Sequence, residues 1–398
     1  MHFLHIRSPH KHAVPLLLIP SFPNTNLSPL IAPLFTPLTH PDSPTSSQPF
    51  HLVVPSIPGL GFSDAFSTDE HLLLSTAKLF AELMKRLGYE FFLTSSTGSS
   101  RDSPAGLNYH LARLMGERFP GSCLGTHLID PLVDRPRGWA WIKFAWARLF
   151  DAEIFGYTRV DFEALRESSR RVRSLRQDEQ DVERRPVLGG RTKNGTGYGA
   201  ISTLGLREPN TFAYALCDSP VGLLSLVCSA LRKWSPNHKL SNEEIVDVTQ
   251  MSWLPGPEAG MRFWSAVVDE VDALKKERTR KKARAAVTVF GSDGSGEDGY
   301  ICPAWARQKH DVLFAQRVPG KPGLVAWERA DVVVEGIRGL AHEVHKVDGR
   351  LRIAALEEIV VGGGETIPEE GEGEADHELQ LEVESPDTVV AVDLGRTA

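Results

Sequence analysis

The chain has few cysteines, no long apolar run and no cationic excess, and each shortage removes a class of explanation. Its four cysteines, Cys123, Cys217, Cys228 and Cys302, stand far apart, with no CxxC pair and no metal-ligand spacing. They read as buried reduced thiols of a cytoplasmic protein, and neither a metal nor another cofactor is expected. No segment reaches the ~18 to 20 apolar residues of a membrane span; Val14–Pro20 is short and proline-flanked, and reads as a buried strand. Met1–His12 carries scattered His and Lys with no cleavage pattern behind it, so no secretory signal is expected. Lys and Arg number 44 against 51 Asp and Glu, a net charge of −7, which argues against nucleic acid as a partner. No internal repeat is evident.

What is present is enough chain, 398 residues at 41% hydrophobic, for one large α/β core with an insertion. His2–Arg7 alternates like a half-buried strand, whereas Pro15–Ile19 (PLLLI) and His51–Pro55 (HLVVP) are the continuous apolar runs of parallel strands covered on both faces. The spacing predicts a helix around Leu27–Phe35 and a longer one over Glu70–Leu87, opened by a Ser67/Glu70 capping box and closed by Gly88. Phe91–Thr94 and Leu124–Ile129 follow as strands flanking a helix through Tyr109–Arg118. Alternation of this kind means a parallel sheet with right-handed crossovers.

From Gly138 to about Ala283 the pattern is helical without strands. It includes a charged stretch at Arg170–Arg185, a second capping box at Ser241/Glu244, and the basic run Lys275–Arg284, read as a solvated helix end. Ala286–Phe290 and Leu313–Arg317 return to strand character, and Ala330–Leu340 is a closing helix. The expected layout is an α/β core over 1–137, a helical lid over 138–283, the rest of the core over 284–355, and an acidic disordered tail over 356–398.

Several of these segments, in order, resemble microsomal-type epoxide hydrolases. Pro15–Thr25 (PLLLIPSFPNT) is similar to that family's strand and HGWPGS loop, and Pro55–Asp64 (PSIPGLGFSD) to its PSIPGYGFS segment. Met84–Gly88 (MKRLG) resembles the helix end before the nucleophile strand. Gly197–Tyr198 and Pro209–Leu223 (PNTFAYALCDSPVGL) resemble the lid's GY…PDT…LxDSPxGL run; Trp253–Trp264 matches the last lid helix more loosely. Val325–Glu328 (VAWE) looks like the segment after the catalytic histidine. Together the likeness covers Met1–Gly339. It implies an α/β-hydrolase fold with a mainly parallel sheet and an inserted helical lid. The implied chemistry is attack of an aspartate on an epoxide carbon while two lid tyrosines hold the oxygen, then ester cleavage by water activated by a histidine–carboxylate pair. The family also carries a segment ahead of the first core strand, often with a membrane anchor. A chain starting at that strand reads as a soluble short form or as one given too late a start.

Laid on this sequence, the resemblance puts glycine at both reacting positions. The family's Asp-Trp-Gly becomes Gly106-Leu107-Asn108, and its histidine falls on Gly323. Asp102 is the substitute nucleophile, with Ser99 or Ser100 as alternatives; its bland reading is a solvated loop carboxylate or a helix cap. His110 and His127 approach from the core, where a satisfied core histidine is the simpler reading, while His342 and His345 follow the closing helix and read as surface residues. Asp293, Glu297 and Asp298 are the candidate acid partners, or merely solvated. Tyr198 matches one oxygen-holding tyrosine, and the second falls near Trp264, whose indole N–H donates a hydrogen bond but no proton. The family's HGWP becomes Pro20-Ser21-Phe22-Pro23, which loses one amide donor to proline and keeps that of Phe22 for an oxyanion region. Asp218 organises turns. Loss of a nucleophile or base costs on the order of 10³ to 10⁶ in rate. The readings are therefore a hydrolase of a small hydrophobic molecule, an epoxide or related compound, a repurposed pocket that binds such a molecule without hydrolysis, or a scaffold.

Overall fold

The computed structural model describes residues 1–21, 25–43, 47–67, 71–100, 106–182, 209–235, 240–276, 281–291, 300–320 and 323–351. Seven strands form one sheet: β1 (Phe3–Ile6), β2 (Val14–Ile19), β3 (Phe50–Pro55), β4 (Phe92–Ser96), β5 (Cys123–Ile129), β6 (Arg284–Phe290) and β7 (Asp311–Val318), in the order β1-β3-β2-β4-β5-β6-β7. β1 runs antiparallel to β3; every other neighbour is parallel. β2 and β3 are buried along their whole length, as their unbroken apolar sequences require of strands covered on both faces. Each fully buried Leu, Ile or Val there contributes roughly 1.5–3 kcal/mol of transfer free energy.

The helices split between the two faces. One face carries α12 (Ala330–Val347), with Ile337, Leu340 and Val344 packed on Leu16, Leu93 and Leu124. The other carries α2 (Leu72–Arg86), α3 (Leu107–Arg118) and α9 (Glu258–Lys276) over Leu17, Ile19 and Phe92. Between β5 and β6 the described residues are helical: α4 (Trp139–Leu149), α5 (Arg159–Val182), α6 (Pro209–Asp218), α7 (Pro220–Trp234), α8 (Asn242–Trp253) and α9. Two short helices, α10 (Pro303–Ala306) and α11 (Val325–Glu328), flank β7. No single helix among the described residues is long and apolar enough to cross a membrane. The pair α6 and α7 reaches that composition only together, with a 113° bend between them.

Several expectations need correction. The segment predicted as a helix at Leu27–Phe35 is a 3₁₀ stretch, Pro29–Leu34, followed by α1 (Phe35–Thr39). Glu70 of the expected capping box lies outside the described residues, and α2 begins at Leu72. Its first amides, Leu73 N–H and Leu74 N–H, donate to the Glu270 carboxylate of α9 at 2.8 and 3.2 Å, so a partner 197 residues away supplies the cap. The Ser241/Glu244 box opens α8 as predicted. α12 runs to Val347, so His342 and His345 lie within its last turns; His342 is exposed and His345 half-buried, its Nδ1 2.9 Å from the Ala341 carbonyl. Of the basic run, Lys275 and Lys276 close α9, and Arg284 opens β6 with its guanidinium 2.5 Å from Asp348. The expected acidic tail lies outside the described residues.

Candidate functional site

The strand order marks where a ligand belongs. From β2 the chain steps to β3 on one side, then crosses to β4 on the other, so the carboxyl ends of β2 and β4 form a topological switch point, where open α/β sheets bind ligands. Here that crevice is tightly laced. The Thr97 amide donates to the Ile19 carbonyl at 3.0 Å, and the Ser21 amide to Thr97 Oγ1 at 2.8 Å. Asn108, in the first turn of α3, donates through Nδ2 to Ser21 Oγ at 2.7 Å. Gly98 lies so close that a Cβ there would stand 2.2 Å from Ser21 Oγ. Sequence reasoning missed this Ser21–Thr97–Asn108 knot. Its one local signal is Asn108, the last residue of the Gly106-Leu107-Asn108 run already singled out in the sequence.

The turn from β4 into α3 is bound to the end of β5. Ser100 donates through both its amide and its hydroxyl to the Ile129 carbonyl, each at 2.9 Å. Ser99 donates to Asp130 Oδ2 at 3.2 Å. Asp130 follows β5 with φ +44, a conformation that costs a non-glycine residue on the order of 1–3 kcal/mol. Its carboxylate is buried, and Oδ1 accepts the Phe290 amide at 3.1 Å. A buried carboxylate at the C-terminal edge of the sheet was also missed, because one Asp after a strand looks in sequence like an ordinary turn residue.

Gly106 sits at the N-cap of α3 with φ +70 and ψ 32, in the left-handed region. A Cβ there would lie 2.0 Å from Leu132 Cδ1. A side chain at Gly106 would therefore meet the tip of the half-buried Leu132, which would have to swing away. Gly323 stands just ahead of α11, where its amide donates to Glu328 Oε2 at 3.2 Å and that of Leu324 to Oε1 at 3.4 Å. The hydroxyl of Ser235, following α7, also donates to Glu328 Oε1. Both glycine positions are thus integrated into local packing and hydrogen bonding.

Trp264 on α9 is buried in the apolar cluster that includes Phe263, Val267, Leu107 and Leu111, which joins this helix to the first turns of α3. His127 is a core residue of β5: its Nδ1 is 2.9 Å from Ser95 Oγ and its Nε2 2.9 Å from Thr288 Oγ1. Burial pushes its pKa down to about 3, so it is neutral in the folded protein. Burial, with Arg113 nearby, does the same to His310, whose Nε2 is 3.1 Å from the Tyr109 hydroxyl. His110 is buried on α3 with its ring edge-on to Tyr109, 5.1 Å between centroids. Phe22, Asp102, Tyr198, Asp293, Glu297 and Asp298 lie outside the described residues. No group of His, Cys, Asp and Glu able to hold a metal ion occurs among the described residues.

The helical insertion is rooted by an ion pair whose carboxylate is fully buried and whose guanidinium is half-buried. Asp161, in the first turn of α5, accepts Arg317 Nε and Nη2 of β7 at 2.9 Å each, the Tyr300 hydroxyl at 2.6 Å and the Thr158 amide at 2.9 Å. Burial opposes ionisation of Asp161, but the guanidinium and the phenol outweigh it and hold the carboxyl below its usual range.

No protein-family model matches the chain. A protein of Stigmatella aurantiaca named as an epoxide hydrolase is 30% identical over 363 residues, covering 88% of this chain and 68% of that protein. Epoxide hydrolase 1 of Sus scrofa is 26% identical over 360 residues, covering 85% and 71%. Among solved structures, the juvenile hormone epoxide hydrolase of the silkworm Bombyx mori superposes with a TM-score of 0.65 at 19% identity, covering 87% of this chain and 76% of that one.

Proposed function

Since the chain belongs to the epoxide hydrolase family, of the microsomal type and with the α/β-hydrolase fold, we propose that it takes up a small hydrophobic molecule, an epoxide or a related compound, at the C-terminal edge of the sheet, and that the family's covalent step does not run from positions 106 and 323. Ester formation needs a carboxylate on the turn between β4 and α3, aimed at a ring carbon. One observation carries the reading: Gly106 has the left-handed backbone of a glycine, and Leu132 lies where its Cβ would be. At the other position, the amides of Gly323 and Leu324 are capped by Glu328, which binds the loop but supplies no imidazole to activate water.

A second reading is favoured by a specific feature. Asp130 presents a buried carboxylate at the same sheet edge, on strained backbone, and a hydrolase that had moved its nucleophile would use such a group, or Asp102 in the preceding loop. Both oxygens of Asp130 already hold a donor, which lowers their nucleophilicity and favours the first reading.

Binding and turnover of an aryl epoxide, measured on the same preparation, separate the two. Calorimetric binding of styrene oxide without diol formation is the expected result. Diol formation that is abolished by Asp130→Asn or Asp102→Ala would sink the first reading and establish the second.

A further inference from the structure

Three segments far apart in the chain meet at the amino ends of β5, β6 and β7, the edge opposite the candidate site. A Cβ on Gly116, late in α3, would stand 2.8 Å from that of Ala283, so the approach to β6 runs against the end of that helix. Beyond α12, Arg350 donates through Nη1 to the Gly121 carbonyl ahead of β5 at 3.1 Å. Asp348 pairs with Arg284, the first residue of β6, at 2.5 Å. Leu351 is buried and is the last described residue. Residues 352 onward therefore leave the fold beside Lys281 and Lys282.

Charge at this junction is net positive. Two guanidiniums, Arg284 and Arg350, share the one Asp348 carboxylate, while Glu343 is taken by Lys346 and Glu117 by Arg113. Lys281, Lys282 and Arg118 are exposed at the same edge, against exposed Asp311 and Glu90. Lys282 Nζ donates to the Arg307 carbonyl at 2.7 Å, a neutral partner. In sequence, the ten residues 275–284 hold seven cations and one acid. The chain beyond Leu351 has the opposite sign. Residues 352–398 contain 13 acids and two arginines; without them the chain would hold 42 Lys and Arg against 38 acids. The net charge of −7 thus divides into a cationic body and an anionic extension.

We propose that the acidic segment 357–387, twelve acids without a Lys or Arg, docks on this chain's own amino edge at Lys281 and Lys282 and keeps that surface from foreign polyanions. Seven residues span at most about 25 Å, so Glu357 and Glu358 stay within that reach of Leu351. A short tether gives such carboxylates an effective concentration on the order of millimolar at the edge. A separate polyanion would meet the same cations without that advantage. The inference does not depend on what the pocket binds.

The test is zero-length coupling of carboxylates to lysines by a carbodiimide on the dilute full chain, with linked peptides mapped by mass spectrometry. The expected result is links from 357–387 to Lys281 and Lys282 in about tenfold excess over links to the exposed Lys78 and Lys143. The excess should vanish in 1 M salt, where the Debye length is about 3 Å. Retention of the full chain on heparin gives a second reading. Glu369→Gln, Glu370→Gln, Glu372→Gln and Glu374→Gln together should raise the eluting salt. Lys281→Glu with Lys282→Glu should then lower retention several times more in that variant than in the parent chain, whose edge is already covered. Links to Lys78 and Lys143 as frequent as those to Lys281 and Lys282 overturn the proposal. So do links that form only between chains, which would assign the segment to a second copy, and an equal loss of retention in both backgrounds.

Discussion

Two places in this molecule treat charge in opposite ways, although both lie along the C-terminal edge of one sheet. At the root of the helical insertion, the buried Asp161 carboxylate pairs with the half-buried Arg317 guanidinium, and Tyr300, Thr158 and the Gly156 carbonyl add further hydrogen bonds. At the turn between β4 and α3, Gly106 has a left-handed backbone, and the tip of Leu132 lies 2.0 Å from where its Cβ would be. The contrast teaches that a paired charge holds the insertion in place, while Gly106 itself meets only the apolar tip of Leu132. A buried charge is maintained only where partners surround it, and Asp161, with four donors on its carboxylate, meets that condition.

The largest expected effect comes from breaking the root. Arg317→Met should leave the Asp161 carboxylate buried without its cation and cost about 3–5 kcal/mol, read as a drop in the urea midpoint. A loss under about 1 kcal/mol would mean that water reaches Asp161 and that the two regions differ less than their geometry implies. Next comes the turn. Gly106→Ala should cost about 1–2 kcal/mol from the left-handed backbone alone, and more if Leu132 cannot swing away. Adding Leu132→Ala should recover the steric part and leave the backbone part, so the double-mutant cycle should show coupling. If Gly106→Ala is neutral, this turn is not committed to glycine, and the argument against a side chain there fails.

How much of this was legible in the sequence follows from the range of the interactions. β2 and β3 could be read because a strand covered on both faces shows its burial in every residue. The α8 cap was legible because donor and acceptor lie three residues apart. The α2 start was misplaced because its cap, Glu270, belongs to another helix. The same reason hid the switch-point knot: Ser21, Thr97 and Asn108 come from three segments, and each is commonplace alone. Gly106 and Gly323 were singled out by resemblance to a family, not by local chemistry, and their neighbours, Leu132 and Glu328, come from other positions in the chain or from beyond the turn. His127 was weighed as a candidate base and as a satisfied core histidine. Its two hydroxyl partners support the second.

That histidine gives the smallest test and extends the comparison into the sheet. Thr288, which faces His127 Nε2, is also 3.1 Å from Gln316 Oε1, so a polar row runs from Ser95 on β4 across to β7 on the α12 face. The imidazole in this row is neutral because burial lowers its pKa to about 3 from an ordinary value of about 6.5. Between those values the unfolded chain binds a proton that the folded chain does not. Stability from this site is therefore complete above about pH 6.5 and is lost as pH falls toward 3, with a slope of up to about 1.4 kcal/mol per pH unit. His310, lowered for the same main reason, adds a parallel slope in the same window. His127→Gln should remove its share, so that urea midpoints at pH 6.5 and pH 5 lie closer together than in the parent chain. Equal spacing in both proteins would mean that His127 accepts a proton inside the fold. The row would then be a site where the sheet tolerates charge, as the insertion root does, and the contrast between charged root and neutral sheet would be lost.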